Sequence, residues 1–211
     1  MATKSLVITL MLPHRTLAVS SIYSMTKRNF HIGTANNFEF TKISQLKKRR
    51  EFYGKQLVGY SMEQMYSVVS DVENYYKFVP FCKKSMVYNK KDGFLTADLV
   101  IGFPPLSEKY TSNVTMAKPG LVRAECNDGR LFSYLLNNWK FSPGVKDIQQ
   151  SCVIEFEVSF QFKSAIHSQL ANFFFDQLVI QMERAFVDEA EERYGAPAIK
   201  SHVLEATSRV V

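Results

Sequence analysis

The 211-residue sequence is poor in the residues that most metal and redox chemistry requires. Its three cysteines, Cys82, Cys126 and Cys152, have no C-x-x-C spacing, which excludes a disulfide framework and a zinc ribbon. There are four histidines: His14, His31, His167 and His202. A domain built from the middle of the chain holds only His167, too little for a His-rich metal site, and a Ser-His-Asp triad would have to use it. No apolar run approaches the roughly 18 residues that cross a bilayer. No G-x-G-x-x-G, P-loop, G-x-S-x-G or H-E-x-x-H string occurs. These absences favour a binding protein over an enzyme.

Acid is missing from the first 38 residues, which carry Lys4, Arg15, Lys27 and Arg28 and nine Ser or Thr. Basic, hydroxyl-rich and acid-free is the composition of a mitochondrial transit peptide. The apolar run Leu6–Leu12 would suit a secretory signal, but Pro13-His14-Arg15 interrupts it and more positive charge follows. Arg28-Asn29-Phe30-His31-Ile32-Gly33, followed by Thr34-Ala35-Asn36-Asn37, resembles a two-step matrix processing pattern. Residues 1–37 are therefore expected to be a transit peptide, with the mature chain starting near Phe38 and a basic linker over 38–50. Loss of four positive charges lowers the formal charge from +6 to +2. So mild a balance argues against a nucleic-acid partner.

Periodicity then sets the elements. Glu51–Tyr60 reads as a first strand, and Ser61 as the N-cap of a helix whose Met62, Met65, Tyr66 and Val69 share one stripe. Asp71 caps a second short helix through Tyr75, Tyr76 and Phe78, ended by Pro80. The period then changes to two. Leu95, Ala97, Leu99, Ile101 and Phe103 share one strand face, as do Cys152, Ile154, Phe156, Val158, Phe160 and Phe162. Ser151, Glu155, Glu157, Ser159 and Gln161 lie opposite, the pattern of an antiparallel sheet with one wet face. Further strands are expected near 83–90, 107–117, 121–127 and 131–141, separated by Gly- and Pro-containing turns.

One long helix is expected over Ala165–Tyr194, with Ser164 as N-cap and Gly195 as C-cap. Its apolar arc is wider than one packing face needs: Ile166, Leu170, Phe174, Leu178 and Ala185 beside Phe175, Val179, Met182, Phe186 and Ala190. The fold class is thus α+β. A curved antiparallel sheet of about seven strands wraps a long C-terminal helix, with two short helices after strand one. This is a helix-grip architecture, whose interior can be a pocket. Residues 51–195 form the domain and 196–211 a C-terminal tail.

Several blocks in register carry a family resemblance. They are Gly59-Tyr60-Ser61-Met62-Glu63-Gln64-Met65-Tyr66, Val79-Pro80-Phe81-Cys82-Lys83-Lys84-Ser85, Gly102-Phe103-Pro104-Pro105 and Glu108-Lys109-Tyr110-Thr111-Ser112. Asp128-Gly129-Arg130-Leu131-Phe132, Trp139-Lys140-Phe141-Ser142-Pro143-Gly144, His167-Ser168-Gln169-Leu170-Ala171 and Phe174-Phe175-Asp176-Gln177 complete them. From about Glu51 to Gly195 the chain resembles the mitochondrial coenzyme Q-binding proteins of the START-like, polyketide-cyclase-like superfamily. Phe81 stands where the family pattern carries Trp, so an aromatic wall is kept. The resemblance implies a cavity that holds ubiquinone as a bound ligand, with no catalytic cofactor and no metal. It also implies a lipid chaperone or carrier on the matrix face of the mitochondrial inner membrane. Such a protein supports respiration and ubiquinone synthesis, with respiratory complexes or biosynthetic proteins as partners.

A ubiquinone tail needs a tunnel of apolar side chains, and its head one or two polar groups. Phe174, Leu178 and Met182 on the last helix either floor the cavity or pack on the sheet. Gly102-Phe103-Pro104-Pro105-Leu106 is either a lid showing Phe103 and Leu106 or a tight turn. Phe78-Val79-Pro80-Phe81 carries the same two readings, and the two segments together frame a candidate mouth. The inward strand residues Leu99, Ile101 and Phe156 line the cavity. Trp139, the single tryptophan, lines the pocket or sits in the sheet core. Lys83 and Lys84 touch anionic lipid head groups or are solvated. Asp176 and Glu183, seven residues apart, fall together on the polar side of the helix, and His167 is structural. Two other function classes stand beside the carrier: a START-like cyclase or broader lipid-transfer protein, and a ribosome-associated module. A cyclase needs titratable groups on inward strand faces that are almost wholly apolar.

Overall fold

The computed structural model describes residues 49–103, 106–126, 132–163 and 165–211, except for the side chains of Phe103, Leu106 and residues 165–177. They belong to a unit that runs from Asn37 to Val211. The expected transit peptide and all but the end of the basic linker lie outside the described residues.

Strand β1 (Arg50–Val58) leads to helix α1 (Met62–Ser70), a 3-10 turn (Val72–Asn74) and the single-turn helix α2 (Tyr75–Phe78). Ser61 closes a capping box: its hydroxyl accepts from the Gln64 amide at 3.2 Å, while Gln64 Oε1 accepts from the Ser61 amide at 2.8 Å. Met65, Val68 and Val69 of α1 are wholly buried. Strands β2 (Cys82–Lys91), β3 (Phe94–Phe103), β4 (Leu106–Ala117), β5 (Leu121–Cys126), β6 (Phe132–Pro143) and β7 (Cys152–Phe162) follow as a meander. Helix α3 (Ala165–Tyr194) then returns across the sheet, and β8 (His202–Val210) ends the chain.

The eight strands form one sheet in the order β2-β3-β4-β5-β6-β7-β1-β8, with every neighbouring pair antiparallel. Its inner face follows the period-two pattern: Leu95, Ala97 and Leu99 of β3 and Cys152, Ile154, Phe156 and Val158 of β7 are buried. The outer face is laced with charge, as in the Lys55–Glu155 and Lys109–Asp98 pairs at 3.3 and 2.6 Å.

The sheet of about seven expected strands has an eighth, β8, which forms within the segment expected to be a tail. Every residue of β8 is exposed, so no alternation of burial marks it in the sequence. What holds it is backbone pairing to β1 and charge: Arg209 meets Glu51 at 2.7 Å, and Glu205 stands opposite Lys55. Glycine makes the preceding turn possible. Gly195 adopts φ +83, a left-handed conformation that side chains disfavour, and its amide donates to the Glu191 carbonyl at 2.8 Å. The Tyr60 hydroxyl donates to the Gly195 carbonyl at 3.0 Å, tying the end of α3 to the end of β1.

Candidate functional site

Val179, Phe186 and Ala190 of α3 are buried toward the sheet and α1. Around Phe186 an aromatic column joins three elements. Trp139 of β6 stacks on Phe156 of β7 with centroids 4.1 Å apart, and Phe186 lies 4.8 Å from Trp139. Tyr75 and Phe78 of α2 meet Phe186 edge-on at 5.3 and 5.4 Å. Trp139 therefore belongs to the sheet core, on the face turned to α3, and is buried with it.

A second cluster occupies the end of the sheet where β6 begins and β7 ends. Cys126, Phe132 and Leu135 are buried there, with Ile101, Tyr110, Phe160 and Phe162 packed on them. Phe132 lies 5.3 Å from Tyr110, edge-on, and 4.8 Å from Phe162, stacked. Tyr110 packs on both clusters, and Tyr75 on the main one. Burial pushes both phenols well above their usual value, and both residues are half-buried.

The expected lining residues fall into distinct places. Phe78 and Val79 are half-buried and pack on the main core, and Pro80 is half-buried beside them. Phe81 is 36% exposed, and its carbonyl accepts from the Gly102 amide at 2.9 Å, so the two candidate mouth segments are joined there. Leu99 is buried in the main core, Ile101 is half-buried in the second cluster, and Phe156 is wholly buried. Phe103 pairs with Leu106 at the end of the β3–β4 ladder. Their side chains, Pro104 and the side chain of Phe174 lie outside the described residues, and so does the choice between lid and turn. Leu178 and Met182 are half-buried and belong to neither buried cluster. Lys83 and Lys84 are exposed on the edge strand β2.

Some residues of the site escaped the sequence reading. Phe186 stood in a noted stripe without being singled out, although it is the hub of the aromatic column. Tyr110 sits in the Glu108–Ser112 block and has the parity of the buried Ser112 and Val114, a signal that it faces inward. Glu183 is a correction to the expected polar helix face. It is half-buried between the buried positions Val179 and Phe186, and its Oε2 would lie 3.4 Å from a Cβ built at Gly54. Burial raises its pKa. The inward arc of α3 runs through 179, 183, 186 and 190, wide enough to include this glutamate; the side chain of Asp176 lies outside the described residues. Burial also pushes the thiols of Cys82 and Cys152 up, to about 11 and about 12. Both stay protonated at neutral pH and make poor nucleophiles.

Comparison with known proteins adds to this geometry. The family model described as "Polyketide cyclase / dehydrase and lipid transport" matches residues 58–187. The mitochondrial coenzyme Q-binding protein COQ10 of Drosophila melanogaster is 59% identical over 158 residues, 75% of this chain and 65% of that protein. The mitochondrial coenzyme Q-binding protein COQ10 homolog B of Xenopus laevis is 46% identical over 148 residues, 70% of this chain and 61% of its own length. The match thus spans less than two thirds of each of these relatives. The ribosome association toxin RatA of Escherichia coli is 32% identical over 140 residues, 66% of this chain and 86% of that one. Among solved structures, the Zhui aromatase/cyclase of Streptomyces sp. R1128 superposes with a TM-score of 0.59 at 13% identity. That match covers 69% of this chain and 95% of the cyclase, and speaks to the fold alone.

Proposed function

This chain is a COQ10-family member of the START-like polyketide cyclase / dehydrase and lipid transport proteins, and from that premise we propose that it binds ubiquinone between its sheet and α3. The quinone is cargo: the protein carries or chaperones it. The observation that carries this reading is the pair of aromatic clusters on the inner face of the sheet, with the half-buried Tyr75 and Tyr110 packed on them.

The energetics suit a polyisoprenoid. At about 0.8 kcal/mol per buried CH2-sized group, one five-carbon unit is worth about 4 kcal/mol. Three such units outweigh an association cost of at least about 4 kcal/mol and leave roughly micromolar affinity. Shape and apolar area suffice, so the interior needs few polar groups. Chemistry is another matter. Thiols and phenols of the interior are held protonated by burial, which leaves them without the charged form that general base or nucleophilic catalysis requires. This supports a carrier over a cyclase.

Two features support a place in mitochondria, on the matrix side of the inner membrane. The leader has transit-peptide composition, and the two COQ10 relatives are named mitochondrial. Lys83 and Lys84, exposed on β2 next to the Phe81–Gly102 contact, would meet anionic head groups where the cargo enters. From there the protein would serve the respiratory chain and ubiquinone synthesis. A ribosome-directed role fits less well, because basic residues of the outer sheet face pair with acids, as Arg123 does with Glu125 at 2.6 Å. The test is to purify the protein, extract it with organic solvent and identify the lipid by mass spectrometry. Stoichiometric ubiquinone is the expected result. Phospholipid alone would make it a broader lipid-transfer protein, and an empty interior that takes up no quinone from liposomes would refute the carrier.

A further inference from the structure

The interior tyrosines are not equivalent. The Tyr75 hydroxyl donates to the Val69 carbonyl and the Tyr60 hydroxyl to the Gly195 carbonyl, so each is satisfied by backbone. The Tyr110 hydroxyl has no hydrogen-bond partner among the described residues. The residue is half-buried and its hydroxyl is not among the closed-off unpaired atoms, so this donor is accessible and free to meet a ligand. Tyr110 lies on β4 opposite Leu99 and two residues from the buried Ser112, on the inner face of the sheet. Its ring is held edge-on against Phe132 at 5.3 Å. The groups felt by the phenol are the thiols of Cys82 and Cys126, and neither is a strong acceptor.

We propose that the Tyr110 hydroxyl recognises the head of the bound lipid, donating a hydrogen bond to one carbonyl oxygen of a quinone ring. This rests on the ubiquinone reading and deepens it. Apolar walls hold any isoprenoid tail, so tail contacts do not separate a quinone from another greasy chain. One fixed donor inside an apolar space does, because a site built to hydrogen-bond discriminates strongly against a ligand that leaves its polar group unpaired. Burial keeps the phenol protonated across the physiological range, so the donor is always present. Phe132, edge-on to Tyr110 and stacked with Phe162, places aromatic surface beside the hydroxyl.

The test uses the full chain and two probes: a short-tailed ubiquinone with two isoprene units, and squalene, an isoprenoid hydrocarbon without a head. Tyr110→Phe removes one oxygen and keeps the ring. It is expected to weaken quinone binding about tenfold, to leave squalene binding unchanged or tighter, and to unfold at the same temperature as the wild type or above it. Undiminished quinone binding in Tyr110→Phe would overturn the inference alone, as would equal loss of both probes. Failure of the wild-type chain to bind quinone would overturn the ubiquinone reading itself, and this inference with it. A second measurement needs no variant: the infrared carbonyl stretch of quinone bound to the wild type. One carbonyl band shifted down from its position in hexane is expected, and two unshifted bands would refute the bond.

Discussion

Replacing Phe186 by alanine tests the aromatic column as the element that fixes α3 on the sheet. Phe186 is 2% exposed and meets Tyr75, Phe78 and Trp139 with ring centroids 5.3, 5.4 and 4.8 Å away. Burying a phenyl ring and leaving a hole where it stood together cost about 3–5 kcal/mol. The three ring contacts place this site toward the upper end, since aromatic pairs add about 0.5–1.5 kcal/mol beyond area. For a domain of this size each kcal/mol lowers Tm by about 2–4 °C. The expected loss is therefore about 6–20 °C in a thermal scan of the lipid-free protein, with the urea midpoint falling in proportion. Phe186→Leu keeps part of the volume and should fall between variant and wild type. A loss below about 1 kcal/mol for Phe186→Ala would mean that the ring faces open space and that the column is not the support described.

Further predictions concern charge. The raised pKa of Glu183 means the folded state holds its proton more tightly than the unfolded chain, so its favourable contribution is lost as pH rises toward the folded value. Glu183→Gln should therefore raise Tm at pH 7.5, with the gain vanishing near pH 4. Asp98 has the opposite sign: Lys109, aided by Thr111 and Tyr88, holds its carboxyl below the usual range. Its contribution is present above the unfolded carboxylate pKa and is lost as pH falls through the lowered value. Asp98→Asn should cost about 0.2–1 kcal/mol near neutrality and nothing in acid, as read by Tm against pH. If Lys83 and Lys84 meet lipid head groups, replacing both with alanine removes about 2 kcal/mol and weakens binding to anionic vesicles about 30-fold. Neutral vesicles should show no difference, and unchanged binding to anionic ones would leave the lysines merely solvated.

The fold was legible where burial alternates. Strand β7 carries Cys152, Ile154, Phe156 and Val158 on one face against Glu155 and Glu157 on the other, and Ser61 and Gly195 punctuate the helices as caps. β8 was not legible, because a strand exposed on both faces has no hydrophobic period and announces itself only through pairing. The site was legible as a set of inward faces. Phe156 follows from parity, but β6 does not alternate cleanly, which leaves Trp139 open between pocket and core in the sequence. The junction with Tyr75 and Phe78 depends on where α2 docks, which no local pattern encodes. Glu183 shows the limit most plainly. Helical spacing places it beside Val179 and Phe186, but only its place over Gly54, where a Cβ would meet its carboxyl, shows that an acidic residue has been drawn inward.

Trp139 gives the most direct test of ubiquinone binding between sheet and helix. It is the single tryptophan of the chain, 4% exposed and in the core beneath α3. Quinones quench indole fluorescence at short range, whereas a buried indole is shielded from a soluble quencher such as iodide. Titration with short-tailed ubiquinone is expected to quench Trp139 saturably, ending at one quinone per chain, while iodide has little effect. Quenching that never saturates, or none at all, would contradict a bound quinone at this site.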